Sequence, residues 1–172
     1  MVNKKGVVMK KYKIGMYGGK FMPMHKGHKY CIDVACSECD CVYVILFCNG
    51  SDEEHILLND NSLYLLLDTR KKQVINICNY YKNAIPVFID VSKCRLSNGE
   101  EDWDAETPLV RKIVGDKLDA VYSSEPSYEP YFKRAYPEAI HRMVDYKRVK
   151  YPVSGTMLRK IKNEKEREKW IV

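Results

Sequence analysis

Short apolar runs alternate with longer amphipathic stretches along this chain, and this alternation restricts the fold more than any other feature. Residues 42–47 form an almost continuous apolar, β-branched run, which is typical of a strand buried on both faces. Further strands are predicted at residues 12–17, 86–91, 120–123 and 139–144. Helices are predicted at residues 26–38, from 62 or 68 to 81, from a cap at Asp102 or Asp104 to about 117, around 131, and from 154 to about 169.

This order predicts an α/β fold with a Rossmann-like, doubly wound parallel sheet of five strands and helices on both faces. In such sheets ligands bind at the carboxyl ends of the strands, near the point where the strand order reverses. The loop after the first strand is therefore the natural place for a phosphate. We expect residues 11–172 to form this single domain, preceded by a basic lead-in at residues 1–10.

The composition excludes several classes of protein. With 45% hydrophobic and 30% charged residues, the chain is typical of a globular protein and not of a disordered one. It shows neither a secretory signal nor an apolar run of membrane-spanning length, so we expect a cytoplasmic protein with reduced cysteines and no membrane partner. For the cluster Cys36, Cys39 and Cys41, packing is favoured over metal binding, because no second cluster with zinc-site spacing follows it.

The loop after the first predicted strand has the features of a polyphosphate cradle. Residues 18–28 read Gly-Gly-Lys-Phe-Met-Pro-Met-His-Lys-Gly-His. Gly18 and Gly19 allow the backbone to approach a ligand, and Lys20 adds a positive charge. His25 and His28 stand three residues apart at a helix start, so they share a face beside the positive end of the helix dipole. Metal chelation by this histidine pair is the rival interpretation, and it lacks an adjacent acidic or thiol ligand.

A second predicted helix start has anion-binding character. Residues 153–159 read Val-Ser-Gly-Thr-Met-Leu-Arg. Ser154 is placed to cap the helix, and Gly155 permits close approach. Thr156 and Arg159 add a hydroxyl and a guanidinium, which suit a β- or γ-phosphate. Alone, this sequence would indicate only a helix cap; beside the first loop it predicts a second phosphate site.

Together the two stretches resemble the signatures of a nucleotidyltransferase superfamily. Residues 19–28 match G-x-F-x-P-x-H-x-G-H, and residues 154–159 match S-[SG]-T-x-[IL]-R. The superfamily includes NMN adenylyltransferases, phosphopantetheine adenylyltransferases, cytidylyltransferases and class I aminoacyl-tRNA synthetases. The resemblance implies that the catalytic residues are His25, His28, Lys20 and Arg159. It implies that the ATP and phosphate groups contact Gly18, Gly19, Phe21, Gly27, Ser124, Ser154, Gly155 and Thr156.

The segment between the signatures looks most like NMN adenylyltransferases of the archaeal type and of the bacterial bifunctional type. Lys20, the pair Thr69-Arg70, Trp103 after an acidic loop, and residues 121–125 carry this likeness. The resemblance implies that Asn49, Arg70 and Trp103 bind the acceptor, with the indole of Trp103 stacked on the nicotinamide ring. An aromatic face against a cationic pyridinium has a physical rationale. A core or helix-capping role for Trp103 is the alternative.

The implied reaction transfers AMP from ATP to NMN and gives NAD and pyrophosphate. Mg²⁺ would travel with ATP, carried by the triphosphate oxygens and not by protein ligands. Three alternatives stay open: a phosphopantetheine adenylyltransferase or cytidylyltransferase, a nucleotide-binding module without turnover, and a nucleic-acid-binding protein. The last is prompted by the net charge of +6 and the 13 tyrosines. It lacks a recognisable motif, so we expect no nucleic-acid partner. Whether the chain forms a homo-oligomer is open.

Overall fold

The computed structural model describes residues 9–60 and 62–172. The predicted basic lead-in therefore lies outside the described residues except for its last two positions. Of these, Lys10 donates to the carbonyl oxygens of Cys36 at 2.7 Å and Ser37 at 3.1 Å, at the end of the first helix. Among the described residues, no helix combines the length and the apolar character that crossing a membrane requires.

Within the part of the chain that the structure describes, five parallel strands form one sheet. They are β1 (Tyr12–Gly19), β2 (Cys39–Cys48), β3 (Ala84–Asp90), β4 (Ala120–Ser123) and β5 (Ile140–Met143). The strand order is β3-β2-β1-β4-β5, and every neighbouring pair is parallel. The order reverses between β1 and β4, so a crevice opens at their carboxyl ends. The predicted α/β, Rossmann-like fold is confirmed.

Seven α-helices within residues 9–60 and 62–172 connect or follow these strands. They are α1 (Lys26–Glu38), α2 (Ser51–Asn59), α3 (Leu67–Cys78), α4 (Trp103–Val114), α5 (Glu129–Ala135), α6 (Gly155–Lys160) and α7 (Glu164–Glu168). Short 3₁₀ turns occur at Leu63–Leu65 and Pro126–Tyr128. The helices cover both faces of the sheet, because β2 places Val44 and Leu46 in one buried cluster with α1 and α3, and Ile45 in another with α4.

The structure differs from the helix predictions at two places. Residues 51–59, for which no helix was predicted, form α2; Gly50 is its extended N-cap, and three acidic residues in its first turn suit the helix dipole. The single helix predicted from 154 to about 169 is divided into α6 and α7. The guanidinium of Arg167 donates to the Ile161 carbonyl at 2.7 Å, and the Asn163 side chain caps α7. These contacts stabilise the break.

A buried ion pair ties the loop after β1 to the helices beside it. Arg70 of α3 is fully buried and pairs with Glu53 of α2. The same guanidinium donates to the carbonyl oxygens of Leu65 and Lys20, both at 2.8 Å. The other carboxylate oxygen of Glu53 accepts from the backbone N–H of Asn49 at 2.7 Å. The pair therefore fixes the loops that follow β1 and β2 relative to α2 and α3.

Replacing Arg70 by Met is expected to lower the free energy of unfolding by about 3–5 kcal/mol, because Glu53 would be left buried without its partner. Chemical denaturation followed by circular dichroism measures this. The double variant Arg70→Met/Glu53→Met should recover part of the loss, since it buries no unpaired charge. Lys72→Met, an exposed site on the same helix, is the control. An equal effect in Arg70→Met and Lys72→Met would contradict this role.

Candidate active site

A cavity of about 390 Å³ lies at the carboxyl ends of β1 and β4, where the strand order reverses. Its size and position are those of a small-molecule site in a doubly wound sheet. The predicted site residues that line it are Gly18, Gly19, Lys20, Phe21, His25, His28, Trp103, Ser124, Ser154, Gly155, Thr156 and Arg159. The structure thus brings both sequence signatures to one cavity.

The two histidines start helix α1 by capping each other. His25 is the N-cap residue, and its Nδ1 accepts from the backbone N–H of His28 at 3.3 Å. The Nδ1 of His28 accepts from the backbone N–H of His25, also at 3.3 Å. The rings stack with their centroids 3.5 Å apart. Because each Nδ1 is an acceptor, the proton of each neutral ring lies on Nε2. The pair therefore supplies two N–H donors.

Both rings are neutral at pH 7. Burial lowers the pKa of His25 to about 4, and the nearby charge of Arg148 lowers it further in the same direction. For His28, burial, the neighbouring His25 and Arg148 all hold the pKa well below its usual value. Protonated Nδ1 atoms would also be unable to accept the capping hydrogen bonds. The pair is consequently a set of neutral hydrogen-bond donors and not a pair of cations.

Gly27, predicted to contact phosphate, does not line the cavity. A Cβ at this position would lie 3.1 Å from Cε1 and Nδ1 of the His25 ring and 3.7 Å from Val153. The glycine thus makes room for the His25 ring in its stacked position. Gly27 therefore contributes to the site indirectly, because its small size allows the rings of His25 and His28 to stack.

The start of α6 packs directly on the loop after β1. Ser154 caps α6, and Nη1 of Arg159 donates to the backbone carbonyl of Met22 at 2.5 Å. Nη2 of Arg159 donates to Thr156 Oγ1 at 3.1 Å. A Cβ at Gly155 would lie 2.8 Å from the same Met22 oxygen, so only glycine permits this approach. The two signatures are therefore joined by direct contact.

Lys20 is not a free charge. Its Nζ lies 2.9 Å from Asp52 of α2 and 2.5 Å from Glu101, in the loop before α4. The side chain of Glu101 is 8% exposed and that of Asp52 is 68% exposed. The lysine thus lines the cavity with its charge already shared between two carboxylates. The sequence offered no signal for either partner, because both are distant along the chain.

Asn49 and Arg70, predicted to bind the acceptor, are not brought to the cavity. Arg70 is turned into the protein, where Glu53 and two carbonyl oxygens satisfy its guanidinium. Asn49 has a φ of +62° and donates its backbone N–H to Glu53 at the start of α2. Both residues support the loops around the cavity.

Arg148 is a cavity residue that sequence reasoning missed. It lies in a loop between β5 and α6 with a φ of +51°, and the Asp145 carboxylate ties this loop by accepting three of its backbone N–H groups. Nη1 of Arg148 donates to the Val153 carbonyl at 2.6 Å, and Nη2 pairs with Glu125. Only its place a few residues before the second signature could have drawn attention to it.

The wall formed by α4 and α5 is aromatic and acidic. Trp103 makes edge-to-face contacts with Tyr128, at 5.0 Å between ring centroids, and with Tyr131, at 5.3 Å. Glu106, three residues further along α4, also lines the cavity and is 7% exposed. Burial and the nearby Glu101 raise the pKa of Glu106 to about 7. The cavity therefore combines phosphate-type donors with an aromatic wall that carries a carboxyl group.

Curated relatives align with most of this chain, but the alignment covers only part of the length of each relative. The trifunctional NAD biosynthesis/regulator protein NadR of Escherichia coli is 29% identical over 155 residues, which covers 85% of this chain and 36% of the relative. The chain thus spans about a third of the length of the curated relatives it matches. No protein-family model matches the chain.

Solved structures share the fold. A NadR protein in complex with NAD and AMP-PNP has a TM-score of 0.63 and 22% identity, over 95% of this chain and 46% of that one. A second match is a bifunctional NMN adenylyltransferase/ADP ribose pyrophosphatase from Francisella tularensis, complexed with AMP and a manganese ion. It has a TM-score of 0.55 and 22% identity, and the match covers 86% of this chain and 40% of that one. Together with the curated relatives, these matches confirm the resemblance to nucleotidyltransferases of the NMN adenylyltransferase type.

The low pKa of His25 predicts a stability that depends on pH. The unfolded chain binds a proton at His25 near pH 6.5 and the folded protein only near pH 4, so folding is favoured above pH 6.5 and this contribution is lost as the pH falls. Between pH 7 and 4 the loss from His25 is about 3 kcal/mol. Urea denaturation at several pH values measures it.

His25→Asn is the matched comparison, because asparagine caps helices but does not titrate. Groups elsewhere titrate in both proteins, so the difference between their stability curves reports His25 together with its effect on the pKa of His28. The variant should lose less stability between pH 7 and 4 than the parent. Parallel curves would contradict the buried, neutral state of this histidine.

Proposed function

We propose that this protein transfers the adenylyl group of ATP to the phosphate of nicotinamide mononucleotide, giving NAD and pyrophosphate. The observation that carries the proposal is the convergence of His25, His28, Ser154 and Arg159 on one cavity, with Arg159 bonded to the loop that holds the histidines. The relatives reported above add support, since they are named for NAD biosynthesis and NMN adenylylation.

The reaction needs no protein base. An oxygen of the acceptor phosphate attacks the α-phosphorus of ATP, a new phosphorus–oxygen bond forms, and the bond to the pyrophosphate oxygen breaks. A phosphate monoester is already an anionic nucleophile near neutral pH. Catalysis then consists of holding the two phosphates in line and stabilising charge as it moves to the leaving group.

The neutral histidines fit the charge-stabilising role. Their capping bonds fix both rings, and each Nε2–H can donate to a phosphate oxygen without further reorganisation. Ser154, Thr156 and Arg159 would hold the β- and γ-phosphates and the departing pyrophosphate. In this proposal Ser124, Phe21 and the backbone at Gly18 and Gly19 shape the ATP side of the cavity.

Lys20 and Arg148 supply the remaining cations of the proposed site. Lys20 would bridge the donor and acceptor phosphates, which requires phosphate oxygens to replace the exposed Asp52 as its partner. Arg148 would take phosphate oxygens in the same manner, in exchange for Glu125. Both cations thus have carboxylate partners, which offset their positive charge.

A divalent cation enters the proposal with ATP. No group of three or more His, Cys, Asp and Glu side chains within residues 9–60 and 62–172 is arranged to hold a metal ion. Asp52 and Glu101, two carboxylates that line the cavity, are engaged by Lys20. Triphosphate oxygens are therefore the proposed ligands, and the cation would offset their negative charge.

The direct test is a product analysis. The protein is incubated with ATP and Mg²⁺ and, in separate reactions, with nicotinamide mononucleotide, phosphopantetheine and glycerol phosphate; a parallel series uses CTP. Mass spectrometry and pyrophosphate detection identify the product. NAD from ATP and nicotinamide mononucleotide is the expected result. Nucleotide binding in calorimetry without any pyrophosphate release would favour a non-catalytic module and contradict the proposal.

Replacing His28 by Ala is expected to lower kcat by about 10²–10³, the range for removing one preorganised donor. The variant also loses a capping acceptor, so its thermal melting and ATP binding are measured beside turnover. His55→Ala, an exposed histidine of α2, is the control and should leave turnover unchanged. Parental turnover in a folded His28→Ala protein would rule out the proposed role.

Replacing Arg148 by Met is expected to move the acid limb of the pH profile of kcat/KM to higher pH. Its positive charge lowers the pKa of both histidines, so its removal makes them protonate at higher pH. A protonated Nδ1 can no longer accept the capping hydrogen bond, so the histidine pair is disrupted at a higher pH than in the parent protein. Profiles from pH 4.5 to 8 measure this, with Lys147→Met at the exposed neighbouring position as the control. The acceptor phosphate titrates equally in all proteins, so coincident acid limbs would contradict the expectation.

A further inference from the structure

Glu106 carries a carboxyl group in the wall of the cavity. The residue is 7% exposed and lines the cavity, and its oxygens are not among the enclosed side-chain atoms of the described residues that lack a partner. The carboxyl oxygens are therefore accessible from the cavity, although the residue is largely buried. A carboxylate in this position can accept a hydrogen bond from a ligand group in the cavity.

Trp103 stands beside it on the same face of α4, three residues earlier. The indole is 37% exposed and lines the cavity. Contacts with Tyr128 and Tyr131 hold it in place, and its backbone carbonyl accepts from the Tyr131 hydroxyl at 3.0 Å. A flat, cationic ring placed against this wall would meet an aromatic surface and a carboxyl group together, and both attract positive charge.

The charged groups around Glu106 come from two parts of the chain. Glu101 and Asp102, in the loop before α4, disfavour its ionised form, and Lys20, after β1, favours it. The other titratable groups near it are Cys94, Tyr131 and Tyr136, whose own pKa values are raised by burial. Those three groups stay neutral near pH 7, so the pKa of Glu106 is set by its burial, which raises it most, and by Glu101, Lys20 and Asp102. With its pKa raised to about 7, both forms of Glu106 are populated at neutral pH.

We propose that Glu106 determines the specificity for the acceptor base, by accepting a hydrogen bond from the carboxamide of nicotinamide mononucleotide and by excluding the nicotinate form of the same nucleotide. This inference rests on the proposed function. A carboxamide N–H can donate to the ionised Glu106, whereas the nicotinate carboxylate would place a second negative charge beside it in a site poor in water. A site with an unsatisfied polar group discriminates strongly between ligands that do and do not complete it.

The protonation state of Glu106 then controls the discrimination. When protonated, its O–H can donate to a nicotinate carboxylate, so the nicotinate nucleotide becomes acceptable. Raising the pH removes that proton and leaves two facing carboxylates. The preference for the carboxamide acceptor should therefore increase with pH across the neutral range. The acceptor phosphate titrates in both substrates and cancels from the ratio of their kcat/KM values.

The experiment measures kcat/KM for nicotinamide mononucleotide and for nicotinate mononucleotide, at saturating ATP and Mg²⁺, at pH 6, 7 and 8. The parent protein is expected to prefer the carboxamide by about 10- to 100-fold at pH 8, the range for a charge-assisted hydrogen bond. The preference should decrease by about tenfold at pH 6. In Glu106→Gln, whose side-chain amide can donate to a carboxylate, the ratio should approach one and lose its pH dependence.

Asp104→Asn is the matched control. It removes one carboxylate from the same helical turn, but that side chain is 65% exposed and pairs with Arg134. The ratio of kcat/KM for the two mononucleotides should be the same in Asp104→Asn as in the parent protein at every pH. Thermal melting shows whether each variant folds. If Glu106→Gln does not fold, the pH dependence of the parent ratio still decides the matter.

The possible failures are distinguishable. Adenylyl transfer with an acceptor ratio that changes neither with pH nor in Glu106→Gln would overturn the specificity role and leave the proposed function intact. Transfer to neither nucleotide would overturn both. An effect of Asp104→Asn equal to that of Glu106→Gln would show that general charge, and not the cavity carboxyl group, sets the preference.

Discussion

The mutual capping of His25 and His28 is the interaction on which the site depends. Capping usually employs small hydroxyl or carboxyl side chains, whose task ends once the first N–H groups of the helix are satisfied. Here two imidazole rings perform it, so the bonds that begin α1 also fix the tautomer, orientation and neutral charge of both rings. Local structure and chemistry thus share the same two hydrogen bonds, and a substitution at either position disturbs both.

Contacts from the far end of the chain hold this helix start in place. The guanidinium of Arg159 binds the Met22 carbonyl across 137 positions of sequence. The backbone N–H of Lys26 donates to the carbonyl of Trp170 at 2.8 Å, and His25 forms an antiparallel bridge with Ile171. Residues 154–171 therefore carry the second signature and also pack against the loop that follows β1. Because the loop and α6 are fixed to each other, the groups proposed to bind phosphate have a defined spacing before substrate arrives.

Local patterns predicted the strands, the first helix and the two signatures because each depends on residues close together in sequence. Charge pairing joins residues that are distant in sequence, so the carboxylate partners of Arg70 and Lys20 were not predicted. A buried arginine needs a buried carboxylate, and the partner of Arg70 lies on α2, a helix the sequence pattern did not reveal. The family resemblance implied that Arg70 contacts the acceptor, whereas in the structure its guanidinium pairs with Glu53. Lys20 and Arg148 are similar cases, since their carboxylate partners lie on other segments.

The charge of the whole chain is a poor guide to the charge of the cavity. Among the described residues, Lys20, Arg148 and Arg159 line it together with Asp52, Glu101, Glu106 and Glu125. The net charge of +6 therefore does not describe the cavity, where cationic and acidic side chains occur together. Such a cavity favours ligands that place negative and positive groups at the matching walls. The proposed pair of substrates has that distribution, with triphosphate and monophosphate oxygens for the cationic side chains and a cationic base for the acidic wall.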